Sequence, residues 1–282
     1  MKIKTLNHDA VLKILPDRPD DSHKGNYGRI LLLCGSRGYT GAAALAAMGA
    51  LRSGAGLVYL AVPESIYAIE AVKLTEAIVQ PLDDEQGMLS SSALPMIRKL
   101  LRGKDAVLVG PGLGQSEGTR LAVETVLREF EGPVVLDADG INLLQQHMDL
   151  LRGRTCPTVL TPHDGEFARI AMETVGDRFV DTMNLAIATG ATVLRKGHRT
   201  LITDGSVTYI NHTGNPGMAV GGSGDLLSGM IVSFLGQGIP PLEAAACAAW
   251  LHGAAGDLCA DQLGQYAMLP SDMLDILPRL LK

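Results

Sequence analysis

The sequence predicts an α/β protein: a mostly parallel sheet between two layers of helices. Three observations predict it. Short apolar runs with the look of buried strands alternate with helical patterns along most of the chain. The loops that follow several of these runs are rich in glycine and polar residues. Apolar residues make up 46% of the 282 positions against 19% charged and 4% aromatic, so a large aliphatic core can form. Repeated strand–helix–strand units imply right-handed crossovers and parallel neighbours. No linker, fixed-period repeat or low-complexity tract interrupts the pattern, so one domain is expected over residues 1–282.

The elements follow in order. Val11, Leu12 and Leu15 recur at helical spacing before Pro16 ends the run. Residues 29–34 (RILLLC) read as the first buried strand, 35–41 as a loop, and 42–52 as a small-residue helix closed by SGAG. Further strands are expected at 57–62, 105–110, 133–137, 158–161 and 191–195, with helices at 119–130 and 181–189 among them. Residues 201–210 read as a hairpin turning at Asp204-Gly205. Two long apolar helices, 225–235 and 241–258, precede an amphipathic helix from Ser271.

A formal net charge of −6 argues against a general nucleic-acid binder. Cys34, Cys156, Cys247 and Cys259 form no C-x-x-C pair and have no histidine at metal spacing, so reduced thiols are expected rather than a disulfide scaffold or zinc module. The first 21 residues lack the apolar run of a signal peptide. The uncharged stretches flanking Asp225 are broken by glycine, polar residues and proline, so no membrane span is expected. These features predict a soluble, cytoplasmic protein.

In open parallel sheets, ligands bind beyond the carboxyl ends of the strands. Residues 211–225 (NHTGNPGMAVGGSGD) run into an apolar helix. Their glycines let main-chain amides turn toward a ligand, and a helix N-terminus favours phosphate. Asp225 would repel that phosphate; it is either the base that deprotonates an attacking hydroxyl or a helix cap. Residues 196–200 (KGHRT) at a strand end suit a nucleotide phosphate or ribose, or form a solvated basic turn. His163 and Glu166 face one site if a helix starts at Asp164, or belong to a cap built on Asp164 or Thr161; Glu166 could hold Mg²⁺ through water. Residues 109–114 (VGPGLG) do not complete G-x-G-x-x-G, and no P-loop motif is present. Residues 24–28 and 35–43 are either a tight turn or a flat floor under a planar ligand. Cys247, Trp250, His252 and Cys259 lie on an alanine-rich helical run and read as core or interface.

Taken together and in order, KGNYG (24–28), GS (35–36), GAA (41–43), GPGLG (110–114), LDAD (136–139), LTPHDGE (160–166), KG (196–197) and NPGMAVGGSGD (215–225) resemble the ADP/ATP-dependent NAD(P)H-hydrate dehydratases, a branch of the ribokinase-like superfamily. The resemblance spans residues 22–278. The combination is specific, whereas GSGD alone is shared with many ribokinase-like enzymes. The chain departs from the family at Val220, more often threonine, and at His198-Arg199. It looks like a stand-alone dehydratase, without the epimerase domain that the family often carries.

The resemblance implies a ribokinase-like three-layer sandwich and a lyase of metabolite repair. In that reaction ADP or ATP phosphorylates the C6 hydroxyl of hydrated NADH or NADPH (the S form), and phosphate then leaves. It implies Asp225 as the base, with the amides of Gly222, Ser223 and Gly224 as an anion hole. Lys196, Gly197, His198, Arg199, Thr200 and Gly224 would hold the AMP portion. Ala43, Gly112, His163 and Asp225 would line the hydrate pocket, and Glu166 would act on Mg²⁺ indirectly. An NAD(P)H-hydrate epimerase is the implied functional partner. The apolar C-terminal helices suggest a homo-oligomer. The alternatives are a ribokinase-like kinase for a vitamin precursor or sugar, and a non-catalytic nucleotide-binding subunit.

Overall fold

The computed structural model describes residues 2–171 and 173–282. Its first half comprises β1 (Lys2–Lys4), α1 (His8–Ile14), β2 (Arg29–Leu33), α2 (Thr40–Arg52), β3 (Leu57–Pro63), α3 (Glu64–Lys73), β4 (Ile78–Leu82), a small ribbon β5 (Asp84–Glu85) and β6 (Met88–Leu89), α4 (Leu94–Leu101), β7 (Ala106–Val109), α5 (Glu117–Glu129) and β8 (Val134–Leu136). There follow α6 (Asp139–Asn142), α7 (Asp149–Arg152), β9 (Thr158–Leu160), α8 (Asp164–Ile170), α9 (Arg178–Thr189), β10 (Thr192–Arg195), β11 (Leu201–Thr203), β12 (Val207–Ile210), α10 (Ser223–Gly236), α11 (Pro241–Leu263) and α12 (Pro270–Leu280).

The strands form one ten-stranded sheet in the order β1-β12-β11-β10-β9-β8-β7-β2-β3-β4. β10–β11 and β11–β12 pair antiparallel and the other neighbours pair parallel, so β11 alone runs against the rest. The expected hairpin is β11–β12: Asp204 Oδ1 accepts the amides of Ser206 and Val207 at 2.8 Å each, and Gly205 takes φ 91°. The chain steps outward from β2 to β3, while β7 lies on the other side of β2. The order reverses between β2 and β7, which is where an open parallel sheet leaves a crevice.

Side chains alternate across the sheet, so each strand feeds two cores. Ile30, Leu32, Val58 and Leu60 pack with Ala46, Leu226, Met230 and Leu251 of α2, α10 and α11. Leu31, Leu33, Val107 and Val109 pack with Val123, Val126, Phe167 and Leu185 of α5, α8 and α9. This is the three-layer sandwich that the alternation predicts. α2 and α10 touch backbone to backbone: a Cβ on Gly229 would overlap the Ala46 carbonyl, and one on Gly49 the Leu226 carbonyl. That contact seats the head of α10 over the strand ends.

β1, β4, the β5–β6 ribbon, α3 and α4 are elements beyond those the pattern predicts. β4 contains Gln80 and Pro81 and sits at the sheet edge, where proline is tolerated. β1 is three residues long and finds its partner far along the chain, Lys2 opposite Val207. The apolar helices that suggested self-association are largely consumed by the intramolecular core, with Leu226, Met230, Phe234, Cys247 and Leu251 buried.

Candidate active site

The loops beyond the carboxyl ends of β2, β7, β8, β9 and β10 meet the N-terminus of α10. Across the crevice, Gly35 N donates to Pro111 O at 2.7 Å and Ser36 Oγ to Gly112 O at 2.7 Å. Gly110, at φ 135°, is needed because a Cβ there would overlap the Asp137 carbonyl. The glycine-rich stretch after β7 therefore permits close approach of β8 rather than forming a dinucleotide fingerprint. Ala138 takes φ 48°, ψ −116°, a conformation that alanine rarely adopts and that commonly marks a functional site. It separates Asp137, 1% exposed, from Asp139, whose Oδ2 accepts the Gly114 amide at 2.9 Å.

Lys196, just past β10, turns its side chain inward. Its Nζ lies 2.8 Å from Asp137 Oδ1 and 3.7 Å from Glu166 Oε2. Burial works against the ammonium, yet the carboxylates of Asp137 and Glu166 prevail and hold its pKa above the usual lysine range. Gly224 lies directly above: a Cβ there would sit 3.2 Å from Lys196 Nζ and 4.0 Å from Asp137 Oδ2.

Gly222 precedes α10 at the N-cap position with a left-handed φ of 95°, and no side chain caps the helix. The first amides of an α-helix have no intrahelical acceptor; Ser223 N donates back to Val220 O at 3.4 Å, so Gly224 and Asp225 open α10 with donors available to an anion. Asp225 sits in this first turn without capping it. Burial, then the carboxylates of Asp137, Glu166 and Asp139, push its pKa up to about 6, while the Lys196 ammonium pulls it down. A carboxyl with that pKa, next to free helix-head donors, suits proton abstraction from an attacking hydroxyl. Ser223 Oγ lies 3.3 Å from His252 Nε2, and burial lowers the His252 pKa to about 4, keeping the ring neutral.

At the end of β9, His163 is itself the cap of α8. Its Nδ1 accepts the amides of Gly165 at 3.0 Å and Glu166 at 3.2 Å, while Glu166 Oε2 accepts the His163 amide at 2.8 Å. Nδ1 accepts, so the ring proton sits on Nε2, 3.4 Å from Glu166 Oε1. Both Glu166 oxygens thus face donors.

The sequence-predicted residues divide accordingly. Asp225, Gly224, Lys196 and Glu166 are brought together, with His163 at their edge, and Gly222 and Ser223 open the same helix. Gly197, His198 and Arg199 form an exposed turn, and Thr200 Oγ1 donates to Gly197 O at 3.0 Å. Ala43 is 0% exposed beneath Gly35, whereas Ala42 and Tyr39 border Gly112. Sequence reasoning gave no role to Asp137, to Asp139 or to the inward ammonium of Lys196. The one available signal was LDAD standing at a strand end. Among the described residues, no group of three or more His, Cys, Asp or Glu side chains is placed to hold a metal ion, and no helix is long and apolar enough to cross a membrane.

A family model described as NAD(P)H-hydrate dehydratase matches residues 30–279. A bifunctional NAD(P)H-hydrate repair enzyme from Moorella thermoacetica is 46% identical over 275 residues, 95% of this chain and 52% of that protein. The chain spans about half the length of such bifunctional relatives. An ADP-dependent (S)-NAD(P)H-hydrate dehydratase from Cenarchaeum symbiosum is 34% identical over 287 residues, 100% of this chain and 98% of that protein. The crystal structure of an ADP/ATP-dependent NAD(P)H-hydrate dehydratase from Bacillus subtilis, co-crystallized with ATP/Mg²⁺, superposes with a TM-score of 0.84 at 33% identity, covering 97% of this chain and 96% of that one. The architecture is the ribokinase-like sandwich.

Proposed function

Since the chain belongs to the NAD(P)H-hydrate dehydratase family, we propose that it uses ADP or ATP to return (6S)-NADH hydrate and (6S)-NADPH hydrate to NADH and NADPH. The observation that carries this reading is the carboxyl of Asp225, poised near neutrality in the first turn of an uncapped helix head.

In this reading Asp225 takes the proton of the C6 hydroxyl as its oxygen attacks the terminal phosphorus of the nucleotide. The bond to the departing nucleotide breaks, releasing AMP from ADP or ADP from ATP. The amides of Gly222, Ser223 and Gly224 receive the transferred phosphoryl group. The ring-nitrogen lone pair then moves into the N1–C6 bond, the C6–O bond breaks, and phosphate departs with the electron pair. Loss of a proton from C5 restores the dihydropyridine. Phosphate is a far better leaving group than hydroxide, which is why the nucleotide is spent.

Lys196, Gly197, His198, Arg199, Thr200 and Gly224 would hold the AMP portion. Gly112, His163 and Asp225 would line the hydrate pocket, with Ala43 shaping its floor from beneath. Mg²⁺ would neutralise charge on the nucleotide phosphates, held mainly by them and by water. Lys196 and His163 already occupy Glu166, so that carboxylate would reach the ion only through water. The kinase alternative is not favoured by the family match.

We place the protein in the cytoplasm, where its four free thiols fit a reducing compartment. One domain over residues 1–282 fits the single ten-stranded sheet, and exposed Leu263, Tyr266 and Leu269 leave room for a homo-oligomer. A separate epimerase would supply the S form from the R form. To test the activity, NADH hydrate and ADP are mixed with the protein and the dihydronicotinamide absorbance is followed. Recovery of that band with release of AMP and phosphate is expected. A stable phosphorylated product without recovery would indicate a kinase instead.

A further inference from the structure

We propose that Arg178 is a positioning residue for the nucleotide, holding the carbonyl side of the 195–199 turn so that its amide side faces the ligand. The proposal rests on the nucleotide reading of that turn given above.

Arg178 is the first residue of α9, after the cap Asp177. A cation there opposes the helix dipole. Local rules are broken in this way mainly where function requires it. Its guanidinium is nonetheless fully engaged. Nη2 donates to Arg195 O at 3.0 Å and Lys196 O at 2.9 Å, Nη1 to Arg199 O at 3.3 Å, and Nε faces Asp164 Oδ1 at 3.4 Å. One planar cation therefore gathers carbonyls from both sides of Gly197. Arg199 is held at φ 55°, left-handed for a residue with a side chain. Gly197 admits the clamp, since a Cβ there would lie 2.9 Å from Arg178 Nη2.

In a trans peptide the carbonyl of one residue and the amide of the next point in opposite directions. With the carbonyls of Lys196 and Arg199 drawn to Arg178, the amides of Gly197 and Thr200 point away from it. The peptide before Lys196 shows where that far side lies: its amide donates to Pro162 O at 2.8 Å, at the end of β9 beside the catalytic cluster. Asp164 also accepts Arg195 Nε at 2.7 Å, and Arg195 stacks on Phe167 at 3.8 Å. The clamp is thereby tied to α8, which carries Glu166. Nucleotide turn and catalytic cluster are braced as one unit.

The test uses the full chain with Arg178→Ala and Arg178→Lys, reading ADP affinity by calorimetry, kcat and KM for each substrate, and thermal stability. Losing charge-assisted bonds to the turn is expected to weaken ADP binding and raise its KM by about tenfold or more. The hydrate KM should move less than about twofold on the same scale. Arg178→Lys should recover only part of the affinity, because a point charge cannot span three carbonyls. Guanidinium at millimolar concentration should tighten ADP binding to Arg178→Ala and leave the wild type unchanged. Equal ADP affinity in wild type and either folded variant overturns the proposal, as does a hydrate KM that rises in step with that for ADP. A difference in ADP affinity without any turnover of the hydrate would leave the clamp standing and overturn the functional reading instead.

Discussion

Lys196 Nζ donates to Asp137 Oδ1 across 2.8 Å, joining the ends of β10 and β8 directly beneath Gly224. Asp137 is 1% exposed, so this pair is the structural floor of the site as well as its main electrostatic feature. Removing one member leaves a buried charge without its counter-ion. Lys196→Met should destabilise the fold by about 3–5 kcal/mol. Adding Asp137→Asn should return a large part of that loss, because the two effects are coupled. Urea unfolding of the two single variants and the double variant measures the coupling, and strictly additive losses would contradict the pairing.

Asp225 stands at a cost to stability. Its pKa of about 6 in the folded chain exceeds the ordinary value of 3.8. The folded state therefore holds this proton more tightly, and stability falls as pH rises from 3.8 toward 6, then stays lowered. Asp225→Asn should thus stabilise the protein above pH 6 by about 1–3 kcal/mol, with the gain vanishing near pH 4. Thermal or urea unfolding at the two pH values checks the sign.

The same pKa sets an activity profile. A base must be ionised to act, so kcat/KM for the hydrate should fall about tenfold per pH unit below the Asp225 value of about 6. A profile flat down to pH 5 would show that a different group takes the proton.

His252 is 7% exposed, faces Ser223 at the head of α10, and has its pKa lowered from 6.5 to about 4 by burial. The unfolded chain takes up this proton first, so stability is intact above pH 6.5 and is lost as pH falls toward 4. The loss should approach about 2–3 kcal/mol near pH 5, and His252→Gln should abolish that part of the acid sensitivity. Unfolding free energies at pH 7 and pH 5 for both proteins decide it.

The strands were legible where burial on both faces writes a continuous apolar run, as in Ile30 to Leu33 and Ala106 to Val109. β4 was not, because an edge strand tolerates Gln80 and Pro81. Glycine density singled out residues 211–225, and a basic run around one glycine singled out the 196–200 turn. The Asp137–Lys196 pair was hidden: nothing local says that β8 and β10 flank β9. The three-residue spacing of His163 and Glu166 was visible, but a cap formed by the imidazole itself depends on ring geometry. Arg178 left one local trace, a cation at a helix head, and its three carbonyl partners appear only in the folded chain.

The most direct test of the catalytic account compares wild type with Asp225→Asn for turnover of NADH hydrate with ADP, alongside ADP affinity. Turnover should drop by about 10²–10⁴, the contribution of a positioned general base, with ADP affinity changed only slightly. Turnover within a few-fold of wild type would show that the hydroxyl is activated elsewhere and would contradict the account.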